Sequence, residues 1–415
     1  MTTVDEQGYA VRRKLSQHRL FGGRQPPLGH LDIELTERCN NACIHCYINL
    51  PEHDKEAERR ELTTAQWKGI LRQAADLGAR SVRFTGGEPL LRSDFGELYI
   101  YARRLGLKVV LFTNGRLITP ELADLFARVP PLKKIEISVY GMHAESYDAI
   151  ACAAGAFSEF RRGLDLLLER QIPFVVKSVL LPPNRGEIDE FEAWAATIPG
   201  LDGNPPYSVF LDLRARRDAP AKNRRIAALR FSPEEGVALL ARREGSYRKA
   251  TAQFSARFLG PQGDMLFSCG AGEAGCVDAY GVYQMCMLLR HPDMVYDLNQ
   301  GTLREALTEV FPRFREARAT NPAYLSRCAR CFLKGLCEQC PAKSWTEHGT
   351  LDAPVEYLCQ VAHAQARHLG LLSEGERAWE VADWRQRIDA LVQRTRETAE
   401  SSSGHLVLGT SRGDS

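Results

Sequence analysis

"ERCNNACIHCY", residues 37 to 47, sets Cys39, Cys43 and Cys46 within eight positions, a crowding of one reactive residue type found nowhere else in the first half of the chain. Just upstream, "LDIEL" (31 to 35) is a short apolar run that predicts a buried strand. Three thiolates are one short of the four that complete a cubane iron–sulfur cluster, and one short of a structural zinc site. A [4Fe-4S] cluster held by these three keeps one iron open to a small-molecule ligand. A zinc or iron storage site is the plainer alternative.

Further β-branched runs follow: "SVRF" (81 to 84), "KVVLFT" (108 to 113), "KIEISVY" (134 to 140), "FVVKSVLL" (174 to 181) and "YSVFLDL" (207 to 213). Helical patterns separate them. In "TTAQWKGILRQAADLG", Trp67, Ile70, Leu71 and Ala74 recur at helical spacing, and Gly78 is placed to end the helix. Strand–helix–strand repetition implies parallel strands with right-handed crossovers. Six strands are too few for a full eight-stranded barrel, so the expected fold is α/β, a partial (β/α)6 TIM-like barrel. Chemistry in such folds sits at the C-terminal strand ends, where Cys39 falls.

The remaining bounds come from composition. At 415 residues, two domains are expected. Apolar residues make up 44% and charged residues 26%, and no apolar run reaches the about 18 residues needed to span a bilayer. The opening "MTTVDEQGYAVRRKL" has no apolar signal region, which points to the cytoplasm. A net charge of +2 gives no general attraction to nucleic acid. The local run "RARRDAPAKNRR" (214 to 225) reads first as a solvated linker and second as a docking strip for an acidic peptide. Twelve cysteines in a reducing compartment argue for metal rather than disulfides.

The spacing C-x3-C-x2-C after a first strand, with His45 before the third cysteine, resembles the radical S-adenosylmethionine (SAM) superfamily. "FTGGEPLL" (84 to 91) is similar to that family's glycine-glycine-glutamate motif, which receives the SAM amino group. Gly86 and Gly87 permit close backbone approach, and Glu88 offers an acceptor to an ammonium. "FTNG" (112 to 115) and "ISVYG" (137 to 141) stand where the family contacts the ribose and carboxylate, which implies roles for Asn114 and Ser138. Arg161 or Arg162 on the next helix is the implied carboxylate partner. The resemblance implies that SAM chelates the open iron and, on one-electron reduction, yields a 5′-deoxyadenosyl radical that abstracts hydrogen from an unactivated carbon. The protein then positions the cofactor and excludes water.

The distal cysteines resemble the SPASM extension of this family: Cys269, then Gly281-x4-Cys286, Cys328-x2-Cys331-x5-Cys337-x2-Cys340, and Cys359. The last internal spacing is two residues where the family commonly has three. With Cys276 the thiols number eight, enough for two auxiliary [4Fe-4S] clusters and three clusters in all. The resemblance implies Cys269, Cys276, Cys286 and Cys340 for one cluster, and Cys328, Cys331, Cys337 and Cys359 for the other. A pair of zinc ribbons is the alternative, since C-x2-C is also zinc spacing. Cys152 reads as a small buried hydrophobe, with hydrogen-atom donation to a substrate radical as the second reading.

The implied layout is an N-terminal extension (1–28), a radical SAM core (29–225), a linker (226–262), a SPASM domain (263–370), and a C-terminal helix with a disordered tail (371–415). The implied function is maturation of a ribosomally made precursor peptide by crosslinking, epimerisation or excision, with a flavodoxin- or ferredoxin-type reductant. A sulfatase-maturing enzyme that forms formylglycine is the alternative. Those enzymes commonly carry an aspartate directly after the G-x4-C cysteine, where this chain has Met287. An electron-transfer module is a third reading, which fails to explain a cluster one cysteine short. Some thirty residues precede the first strand, too few for a small winged leader-binding domain. Leader recognition would then fall to a separate protein, the barrel edge, or the helix around Trp384, whose apolar stripe (Trp384, Ile388, Leu391, Val392) more often packs internally.

Overall fold

A computed structural model describes residues 28–199, 207–243, 247, 251 and 259–403. The expected N-terminal extension up to residue 27, parts of the expected linker and the final residues 404–415 lie outside the described residues. Two compact units emerge. The first is built from residues 28–208, 214–226 and 269–316, and the second from 209–213, 227–268 and the chain from 317 onward.

The first unit is organised by β1 (His30–Thr36), β4 (Ser81–Gly86), β5 (Lys108–Thr113), β6 (Leu132–Val139), β7 (Phe174–Val179) and β8 (Tyr207–Ser208), each parallel to the next. Between β1 and β4 the short β2 (Arg38–Cys39) and β3 (Leu50–Pro51) pair with each other across the cysteine loop. Three more strands, β9 (Cys276–Val277), β10 (Val282–Gln284) and β11 (Val295–Asp297), extend the sheet beyond β1, giving the order β11-β10-β9-β1-β4-β5-β6-β7-β8. β8 and β11 form the two edges, so the barrel is partial.

One sheet face is apolar because alternate residues of each strand point to it. Leu31, Ile33, Val82, Phe84, Val109, Leu111, Ile135, Ile137 and Val176 are fully buried there. They pack against α2 (Thr64–Asp76), α3 (Phe95–Arg104), α4 (Pro120–Arg128) and α6 (Ala156–Glu169), with Phe84, Phe95, Tyr99 and Phe126 in edge-to-face contact. Burying each side chain of that size contributes roughly 1.5–3 kcal/mol. α2 buries Trp67, Ile70, Leu71 and Ala74, starts at a Thr63/Gln66 capping box, and is followed by Gly78 at φ +93°.

Three sequence expectations meet a different structure. "YSVFLDL" supplies only a two-residue strand, and its residues 209–213 join the second unit. The chain does not divide at 263, because residues 269–316 extend the core sheet through β9 alongside β1. Cys152 is exposed, not buried: α5 (Ala144–Ala151) ends just before it, and it takes the left-handed conformation at φ 49°.

In the second unit, α8 (Pro233–Leu240) packs on α10 (Glu356–Leu369), and α9 (Pro341–His348) starts directly after Cys340. α11 (Trp384–Ser403) lays Ile388 and Leu391 into a cluster with Phe332, Leu333, Leu336 and Ala366, while Trp384 stacks on Phe332 at 6.4 Å. Among the described residues of this helix the apolar stripe is core. Among the described residues no helix is long and apolar enough to cross a membrane.

Candidate functional site

The site forms where β1 gives way to the cysteine loop and the ends of β4 and β5 close against it. Gly86 has φ +134°, and a Cβ there would lie 2.1 Å from the Thr36 carbonyl oxygen. A Cβ on Gly87 would lie 2.1 Å from the Arg38 oxygen and 2.5 Å from that of Glu37. Neither position tolerates a side chain without moving backbone. The approach lets Gly87 N–H donate to Thr36 O (2.6 Å) and Glu88 N–H to Arg38 O (2.9 Å), tying the glycine turn to the residue before Cys39.

Glu88 is fully buried, and its carboxylate faces the protein. It accepts from Leu90 N–H (3.1 Å), Thr113 O–H (2.8 Å) and Asn114 N–H (2.8 Å). Burial pushes its carboxyl up to about 7 despite these donors. Glu88 thus locks the end of β5 onto the glycine turn. Asn114 extends from that end, donating through Nδ2 to Asn40 Oδ1 (2.7 Å) with Cys39 Sγ 3.9 Å away.

Arg116, two residues on, was not singled out by the motifs. It donates to the Asn40 carbonyl and Asn41 Oδ1 (2.5 Å each) and pairs with Glu159 (2.8 Å). Arg161, in contrast, is exposed on α6 beside Ser158 and Asp165, and Arg162 donates to the Arg116 carbonyl at 3.3 Å. From this side, the arginine that touches the cysteine loop is Arg116. Ser138 is half-buried near the end of β6, in register with Lys177 of β7.

The loop is held from its other side as well. Arg214 donates to the carbonyls of Cys46 and Asn49 (3.4 Å each) and pairs with Asp218 (2.6 Å), while Lys222 donates to Asn49 Oδ1 (2.6 Å). Arg216 pairs with Glu37 at 2.6 Å. The basic run is therefore a clamp on the cysteine loop rather than a solvated linker. Glu37 is also bound by Arg290 (3.1 Å), which reaches Glu34 at 2.5 Å, an ion network with no motif to announce it.

The donor set suits a cationic, sulfur-seeking centre. Burial first, then Glu88 and the neighbouring thiols, push the Cys39 thiol well up, and burial with Cys46 takes Cys43 up to about 12 despite a bond from Tyr140. Thiolates so placed require compensating positive charge. None of the twelve cysteines forms a disulfide. Among the described residues no three His, Cys, Asp or Glu side chains converge on a single ion, whereas a four-iron cube takes its thiolates at separate corners. His45 tilts over Tyr140 at 5.6 Å, and burial lowers its imidazole to about 4, so it is neutral near pH 7.

Of the distal cysteines, Cys269, Cys276 and Cys286 belong to the first unit, with Cys276 buried in β9. In the second unit, Cys328, Cys331, Cys337 and Cys359 line one small cavity of about 30 Å³ with Arg327, Lys334 and Trp379. Cys340 is not among its lining residues and caps α9.

Residues 33–195 match the family described as the Radical SAM superfamily. Over 335 residues the chain is 27% identical to the AdoMet-dependent heme synthase of Methanosarcina barkeri, covering 76% of this chain and 92% of that protein. Over 155 residues it is 36% identical to the PqqA peptide cyclase of Xanthomonas euvesicatoria pv. vesicatoria, covering 37% of this chain and 40% of that protein. The fold is shared with anSMEcpe with bound AdoMet and Cp18Cys peptide (TM-score 0.56, 15% identity, 88% of this chain and 100% of that one). It is shared also with Streptococcus suis SuiB bound to precursor peptide SuiA (TM-score 0.58, 16% identity, 80% and 76%). With its cysteine loop, glycine turn and β5 terminus interlocked at the C-terminal end of a partial parallel barrel, this chain carries a radical SAM domain over residues 33–195 and is an enzyme.

Proposed function

We propose that the chain modifies a residue of a ribosomally made precursor peptide by crosslinking, epimerisation or excision. The observation that carries the SAM half of this reading is the Glu88–Asn114–Asn40 chain of hydrogen bonds, which couples the glycine turn to Cys39. When bound, the cluster and SAM supply reductive cleavage of a sulfonium and hydrogen abstraction from an unactivated carbon. Cys39, Cys43 and Cys46 would hold the cluster; Gly86, Gly87, Asn114 and Ser138 would line the cofactor, His45 would flank the cluster, and Arg116 and Arg214 would fix the loop. The site's residues thus orient, exclude water and hold charge.

Glu88 acts here as a positioning residue for Asn114, since its oxygens already accept three protein donors. Arg116 holds the cysteine loop, a role apart from the carboxylate contact expected of Arg161 or Arg162. The eight distal cysteines would ligate auxiliary clusters, with Cys328, Cys331, Cys337 and Cys359 as one set; their common cavity supports that grouping. A flavodoxin- or ferredoxin-type reductant, a separate leader-recognition protein and a cytoplasmic setting complete the reading.

Peptide modification is supported by the likeness to PqqA peptide cyclase over the core. A second reading, a tetrapyrrole-modifying enzyme, is favoured by the heme synthase likeness over most of both chains. Sulfatase maturation is weakened by Met287 at the position of the expected aspartate. Mass spectrometry after turnover decides among them. Loss of two hydrogens from a gene-neighbour peptide means a crosslink, an unchanged mass in ordinary water with deuterium gained in heavy water means epimerisation, and a larger loss means excision. A changed porphyrin with unchanged peptide would replace the first reading by the second. Without 5′-deoxyadenosine release from SAM and reductant, both fall.

A further inference from the structure

The sheet face turned away from the helices carries long charged side chains. Asp32, Arg83, Phe112, Lys134, Glu136 and Lys177 occupy it, alternating with the buried residues Ile33, Phe84, Leu111, Ile135 and Val176. The bulge between Val109 and Val110 brings Lys133 to the same face, where it donates to Ser81 Oγ at 3.4 Å. Five cations, Arg83, Lys108, Lys133, Lys134 and Lys177, stand against Asp32 and Glu136, while Glu34, the next residue of β1 on this face, is taken up by Arg290.

Both carboxylates are already engaged. Asp32 pairs with Arg83 (3.1 Å) and with His30 (2.9 Å), and Glu136 pairs with Lys134 (2.5 Å). The cations crowd one another: burial, then Arg83 and Lys134, lower the Lys133 ammonium. Among the described residues Lys177 has no ion-pair partner, although it lies beside Ser138 at the level of the cofactor site. Arg83 is held flat over Phe112 at 4.6 Å, and its Nε is buried without an acceptor. Met287 Sδ, a weak acceptor, sits 3.4 Å from Arg83 Nη1, on the loop that follows Cys286. An oriented guanidinium with an unsatisfied donor and, on the same sheet face, an ammonium without an ion-pair partner lack only an anion.

We propose that this face is a carboxylate receptor, in which Lys177 and Arg83 hold an acidic group of the substrate. The inference rests on the radical SAM reading and deepens it, because it names the chemical class presented to the radical. Two sources carry that chemistry: an acidic side chain of a peptide, and a carboxylate arm of a tetrapyrrole.

The test uses the reconstituted full chain and two matched probe pairs. One pair is a fluorescein-labelled Glu-containing decapeptide and its Gln counterpart, read by anisotropy. The other is coproporphyrin III and its tetramethyl ester, read by porphyrin fluorescence. Wild type should prefer the free carboxylate member of one pair by about tenfold or more, and that pair identifies the source. Lys177→Met should abolish most of the preference and Lys177→Arg should restore it, with iron content and circular dichroism reporting that both variants fold. Equal binding of both members of each pair by wild type, or a preference kept by Lys177→Met, overturns the proposal. Release of 5′-deoxyadenosine by wild type without any probe reports separately on the radical SAM reading, so the two failures are distinguishable.

Discussion

Replacing Glu88 by glutamine separates the work of its hydrogen bonds from the effect of its charge. The carboxyl is fully buried and pushed up to about 7, whereas an unperturbed glutamate stands at 4.5. The folded state therefore binds this proton more tightly than the unfolded chain. The resulting stabilisation is complete below pH 4.5 and is lost as pH rises through 7. Between pH 5.5 and 8 the loss amounts to about 2 kcal/mol. Glutamine does not titrate, so its contribution is flat. Its amide oxygen can still accept from Leu90 and Thr113, but its NH2 then faces the Asn114 N–H, donor against donor, at a pH-independent cost of about 1–2 kcal/mol. Urea unfolding of metal-free wild type and Glu88→Gln at pH 5.5, 6.5, 7.5 and 8 measures the difference. The gap should move by about 2 kcal/mol in favour of the variant across that range. A gap that does not change with pH refutes a buried, high-pKa Glu88.

Other expectations follow from the same geometry. Gly87→Ala forces a methyl into the Arg38 and Glu37 carbonyls and should destabilise by roughly 2–3 kcal/mol in urea unfolding, with reduced iron uptake on reconstitution. Arg116→Met removes the bonds to Asn40, Asn41 and Glu159 and should cost about 3 kcal/mol, with weaker SAM binding by calorimetry. Cys152→Gly relieves the positive φ of an exposed residue, so it should raise stability by up to about 1 kcal/mol and leave iron content unchanged; lost iron would make Cys152 a ligand.

The core strands were legible because their apolar residues are packed under helices, and such runs stand out from sequence alone. The opposite face was not read, since Arg83 and Lys134 interrupt those runs for reasons that appear only when five strands lie side by side. The cysteine and glycine motifs located the site, yet the residues that lock it were hidden. Arg116 lies just past "FTNG" with no spacing rule to mark it, and Arg214 sits in a run whose charge suggested solvent although it serves buried carbonyls. Cys152 misled because its neighbours are small and apolar, while the end of α5 turns it outward. The boundary at 263 failed because a cysteine-rich segment can still donate strands: Asp32 and Cys276 are in register.

The central claim is that the iron left open by Cys39, Cys43 and Cys46 is bound directly by SAM. Electron paramagnetic resonance of the reduced, reconstituted protein, recorded with and without SAM carrying a 15N-labelled amino group, tests it most directly. A shifted cluster signal with resolved coupling to the labelled nitrogen is expected. Identical spectra with and without SAM would contradict it.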